Sequence, residues 1–70
     1  MPKQTLFNLD ESKREAIIQA AVAEFAKQPF EQASLTKIVE NCGIAKGSMY
    51  QYFEDKLDLY LHIVDLAYDQ

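Results

Sequence analysis

Seventy residues bound the chain to one small domain, which buries only about 60% of the surface that its unfolded form exposes. Hydrophobic residues at 49% and aromatics at 11% supply a core and exclude a disordered tail; two glycines and two prolines, with both glycines and Pro29 between periodic segments, favour an all-α chain with short turns. A formal charge of -4 argues in bulk against a nucleic-acid partner, and a single cysteine with no secretory signal and no apolar run of 18 residues points to a soluble, reducing compartment without a membrane partner.

Residues 1–9 carry Pro2 and mixed polar groups without helical period and read as a flexible N-terminal arm. Ser12 followed by Glu15 has the spacing of a capping box, and Ile17, Ala20, Ala21 and Phe25 recur behind it at helical spacing, so a first helix is expected over about 13–27. Pro29 ends it. Ser34 is placed to cap a second, two-turn helix that turns Leu35, Ile38, Val39 and Cys42 to one side and stops at Gly43. Cys42 then reads as a small core residue rather than a redox sensor.

Ile44 stands alone in a turn, and a third helix starts near Ala45 or Lys46; two short helices joined in this way have the form of a helix-turn-helix. At 100° per residue from Met49, Phe53 falls on the same side, whereas Gly47, Ser48 and Gln51 fall on the opposite one, short or polar groups able to approach a base edge. Tyr50 and Tyr52 flank that face with hydroxyls in reach of phosphate walls, although an ordinary solvated helix with two half-buried tyrosines has the same pattern.

A fourth helix begins near Asp55, with acidic groups at its positive end. Its apolar arc spans about 220°, wider than the stripe of roughly 100–140° that three neighbouring helices cover. If Leu57, Leu61 and Val64 face those helices, Leu59, Ile63 and Leu66 remain exposed and call for a further packing partner. Lys and Arg against Asp and Glu number 4 and 5 in residues 1–33, 3 and 3 in 34–56, and 0 and 3 in 57–70, so the acid excess sits at the C-terminal end. A neutral or basic face around Lys37, Lys46 and Lys56 is compatible with that distribution. His62 lies on the acidic stripe of the fourth helix with no nucleophile arranged around it, and paired with Asp58 it makes only a weak metal site; neither an enzyme nor a cofactor or metal site is expected.

The segment from Cys42 to Lys56, CGIAKGSMYQYFEDK, resembles the signature of TetR-type regulators, and Ile17, Ala20, Ala21, Phe25 and Ile38 match the pattern before it. The likeness runs over about residues 13–64. It implies a homeodomain-like three-helix core with a helix-turn-helix over 10–54, and a helix over 55–70 leading to a ligand-binding and dimerisation domain absent from this chain. It implies further that Lys46, Ser48, Tyr50 and Tyr52 touch DNA, that Thr36 and Lys56 grip phosphates, and that Met49 and Phe53 are core. The wheel adds Gly47 and Gln51 to that face. The partners implied are a palindromic duplex operator, a second copy of the chain and a small-molecule effector; the place implied is the bacterial cytoplasm, at the nucleoid when bound to DNA. Two positions depart from the family pattern, Pro29 for a glycine and Val39 for an alanine, and neither lies on the proposed DNA face. The rival reading is a small helical protein-interaction module that docks through the apolar face of the fourth helix.

Overall fold

The computed structural model describes residues 3–68, with the side chain of Lys46 outside that description. Five helices follow one another, α1 (Gln4–Phe7), α2 (Glu11–Lys27), α3 (Leu35–Cys42), α4 (Lys46–Met49) and α5 (Lys56–Tyr68), with no strand among the described residues. The all-α expectation therefore stands, with one helix more than the periodicity suggested.

That extra helix corrects the reading of residues 1–9 as a loose arm. α1 carries Leu6 fully buried into the core, and Leu9 packs beside it. Burying one leucine stabilises by about 1.5–3 kcal/mol, enough to hold a single turn that would not persist alone. Pro2 lies outside the described residues.

The N-terminal cap of α2 also differs from expectation. Asp10, not Ser12, is the cap: its carboxylate accepts the Lys13 N–H at 3.2 Å, while Ser12 Oγ donates to the other carboxylate oxygen at 3.4 Å. Glu15 instead accepts from the Gln19 side chain one turn further on, at 2.9 Å. Ile17, Ala20 and Ala21 are buried as the spacing predicts, and Phe25 packs partly against the same core. Gln28 leaves the helix in an extended conformation, as a residue before proline must.

The second helix of the sequence reading is found as drawn. Ser34 accepts the Lys37 N–H at 3.2 Å, and Gly43 closes α3 at φ 79°, in the left-handed region that costs other residues about 1–2 kcal/mol. Ile38 and Val39 are buried; Leu35, Cys42 and Ile44 pack partly against them. Burial pushes the Cys42 thiol up, which keeps it protonated and agrees with a packing role.

α5 is rotated relative to expectation. Leu59 is fully buried and Ile63 packs against the core, whereas Leu57 and Leu61 are each 49% exposed. Leu66 does stay partly exposed, beside Ile18, Val22 and Ile63 along a groove of about 370 Å³. Polar groups decide the rotation, and a wheel of apolar residues leaves them out. Lys56 turns inward onto the turn after α2, and Asp58 is buried; its backbone N–H bonds to Asp55 Oδ1 and its carboxylate accepts the Glu54 N–H, each at 2.9 Å. Tyr60 enters a ring cluster with Phe25 and Phe30, at centroid distances of 5.1 and 5.0 Å. Leu59 and Ile63 therefore do not call for a further packing partner; the surplus apolar surface of α5 is carried by Leu57, Leu61 and Leu66.

Candidate nucleic-acid interface

α2 positions the helix-turn-helix by a buried polar link. Glu24, only 5% exposed, accepts the Ser34 N–H at 2.9 Å, so the residue that caps α3 is itself held by α2. An acceptor in a dry site of this kind is costly to remove, because the amide left behind has no water to bond. Thr36 and Lys37 then stand exposed on the first turn of α3.

α4 is shorter than the third helix drawn from the sequence. It ends at Met49, and the chain continues in tighter turns in which Gln51 N–H bonds to Ser48 O, and Tyr52 and Phe53 N–H both bond to Met49 O, all at 3.0 Å. The wheel nevertheless sorts the side chains correctly. Met49 and Phe53 are each 1% exposed; Gly47, Tyr50 and Gln51 are exposed, and Ser48 and Tyr52 are half-buried. A Cβ added at Gly47 would meet nothing within 4 Å, so the space over that turn is open. Lys46 begins α4, and its side chain lies outside the described residues.

Lys56 is not placed on this face. Its ammonium donates to Phe30 O at 2.7 Å, Ala33 O at 3.2 Å and Glu31 O at 3.4 Å, and lies 4.6 Å from the centroid of the Phe30 ring. An ammonium has three donors, and here all three are engaged by carbonyls of one turn. In the chain alone Lys56 ties α5 to the turn after α2, and a phosphate contact from it requires that clamp to open.

His62 is likewise not a solvated member of an acidic stripe. Its ring packs edge-on to Phe7 at 6.2 Å and tilted against Phe53 at 5.9 Å. Burial holds its pKa below the usual histidine value, against the opposing pull of Asp65 and Asp58. Burial alone would push Asp58 up; hydrogen bonding, including that from the Glu54 N–H, brings it below the usual carboxylate value.

The sequence reading missed two residues at this surface. Lys3 donates from its backbone N–H to Tyr52 O at 2.8 Å and from Nζ to Tyr50 O at 2.9 Å, and Thr5 Oγ1 donates to Gln51 O. Leu6 and Leu9, three apart, were the available sign of a buried turn there.

Comparison with known proteins agrees with the all-helical fold. Residues 17–63 match the model of the family described as bacterial regulatory proteins, tetR family. The chain is 41% identical over 54 residues to the HTH-type transcriptional repressor BepR of Brucella suis, covering 77% of this chain and 26% of that protein. It is 29% identical over 59 residues to the HTH-type transcriptional activator FasR of Mycolicibacterium smegmatis, covering 84% of this chain and 27% of that one. Among solved structures, a TetR family transcriptional regulator from Chloroflexus aurantiacus superposes with a TM-score of 0.94 at 46% identity, over 99% of this chain and 32% of that one. The chain thus spans about a quarter to a third of the length of these relatives.

Proposed function

The chain belongs to the tetR family of bacterial regulatory proteins, and from that membership we propose that it is the sequence-specific DNA-binding domain of a ligand-responsive repressor whose α4 enters the major groove of a palindromic operator. The observation that carries the reading is the sorting of side chains on α4 and the turn after it. Met49 and Phe53 are sealed in the core, while Gly47, Tyr50 and Gln51 are exposed and Ser48 and Tyr52 half-buried, with Thr36 exposed on α3 and Lys46 at the start of α4. Short side chains let the backbone approach base edges, Gln51 has the donor and acceptor pair that reads adenine, and the tyrosines and Thr36 reach phosphates. A repressor role rests on the likeness to BepR.

The whole protein works as a homodimer, its heads spaced by one helical turn of roughly 34–36 Å to meet successive major grooves. An effector bound in a further helical domain alters that spacing and releases one half-site. Its place is the cytoplasm, at the nucleoid when bound.

Gly47→Ala tests the reading with little confusion from folding. The added methyl has open space, and alanine is the better helix former by roughly 0.5–1 kcal/mol, so the variant folds at least as well. If α4 lies in a groove, that methyl collides with the duplex and weakens binding, as measured by titration across a salt series against a duplex enriched from a randomised pool. Log K for the unaltered chain falls with log salt by about 0.9 per neutralised phosphate. Unchanged binding by Gly47→Ala rejects the groove placement. An absence of salt-dependent binding favours instead a protein-interaction module built on the exposed Leu57 and Leu61.

A further inference from the structure

α4 is a one-turn helix whose N-cap, Ala45, makes no side-chain hydrogen bond, and whose C-cap, Tyr50, keeps a right-handed conformation rather than the left-handed one of a glycine stop. Beyond Met49 the chain leaves Tyr50 and Gln51 exposed and Tyr52 half-buried, and the carbonyls of all three lie past the end of the helix. Each of these carbonyls receives a donor from residues 3–5: Nζ of Lys3 to Tyr50, the Thr5 hydroxyl to Gln51, and the backbone N–H of Lys3 to Tyr52. The donors are themselves anchored, since Leu6 in α1 is fully buried and the Phe7 ring stands edge-on to His62 of α5.

We propose that Lys3 and Thr5 are positioning residues of the DNA-reading surface: they clamp the backbone of Tyr50–Tyr52 from outside the helix-turn-helix and fix the angle at which Tyr50, Gln51 and Tyr52 meet a duplex. The inference rests on the DNA-binding reading above. Geometry explains why the clamp is needed. The turns after α4 bond back through the N–H groups of Gln51, Tyr52 and Phe53, while the carbonyls of residues 50–52 take their donors from outside, and a misplacement of about 1 Å loosens a bidentate base contact. The clamp also joins α5 to the reading surface, because α1 touches His62 on one side and holds the carbonyls on the other.

The test uses the full chain, amide hydrogen exchange in the free protein, and a duplex enriched by the unaltered chain from a randomised pool. Thr5→Val removes the hydroxyl while keeping shape, at an exposed position where folding is not at stake. It is expected to speed exchange of the Gln51, Tyr52 and Phe53 amides relative to those of Ile38 and Val39. It should weaken binding to the enriched duplex on the order of 3–10-fold, the worth of one net hydrogen bond, with the salt slope unchanged. Thr5→Ser restores both. Lys3→Met gives the same exchange pattern, again at constant slope. Unchanged exchange in Thr5→Val, or lost binding that Thr5→Ser does not rescue, overturns the clamp. A fall of about one in the magnitude of the slope for Lys3→Met makes Lys3 a phosphate contact and overturns its positioning role. If the unaltered chain enriches no duplex, the DNA-binding reading fails, and the exchange comparison alone still decides whether the clamp exists.

Discussion

The two helices of the helix-turn-helix are built by opposite means. α3 is closed at both ends by its own sequence, with Ser34 accepting a bond at its start and Gly43 in a left-handed turn at its end. α4 has neither; residues some 46 positions away in the chain hold the backbone that follows it. The first helix is specified locally and the second by the assembled fold. On the proposed DNA-binding reading, this arrangement leaves the exposed side chains of Tyr50 and Gln51 free of capping.

The largest effect is expected where the remote support is anchored. Leu6→Ala removes a fully buried side chain from the core and should cost about 2–5 kcal/mol, read from urea unfolding, with the amides of residues 50–53 losing protection before those of α3. Equal and simultaneous loss in both helices would mean that α4 is no more dependent on α1 than α3 is. Ser34→Ala probes the local mode. It should cost about 1 kcal/mol by loss of the cap and leave exchange in residues 50–53 near its original rate. A spread of the defect into α4 would weaken the contrast between the two helices.

Acid provides the gentlest probe. The folded His62 pKa lies below its ordinary value of 6.5 because of burial, so the unfolded chain binds the proton more readily. Stability is then fully present above about 6.5 and declines as the pH falls through that value toward the folded pKa. Asp58, also lowered, adds a second loss only below its ordinary value of 3.8. Denaturation midpoints measured between pH 7 and 5 should fall, and His62→Phe should flatten that dependence; a flat profile in the unaltered chain would remove His62 from the α1 to α5 contact.

The same contrast explains what was legible in the sequence. Ser34, Gly43, Pro29 and the spacing of Ile17, Ala20 and Ala21 act within a turn or two of chain, and the elements they delimit were found where expected. So was the outward face of α4, because Met49 and Phe53 are strongly apolar. What depended on partners distant in sequence was not legible. Thr5 gives no sign that its hydroxyl will meet Gln51 O, and Lys56 has the same letter whether its ammonium faces a phosphate or three carbonyls. The rotation of α5 belongs to the same class, since Lys56, Asp58 and His62 all point inward at positions that a hydrophobic pattern assigns to solvent.

The clamp between residues 3–5 and 50–52 has a consequence for the order in which the domain assembles. The bond from Ser34 to Glu24 closes a stretch of 10 residues, whereas that from Thr5 to Gln51 closes 46. Loop-closure entropy rises by about 0.6 kcal/mol for each doubling, so the longer closure costs roughly 1.3 kcal/mol more and is favoured only after nearer contacts have shortened the path. α2 and α3 can dock before residues 50–52 are in place, whereas residues 3–5 must wait for those carbonyls before they have anything to hold. The turn after α4 therefore acquires its final shape later than the junction of α2 and α3, together with the residues 3–5 that hold it.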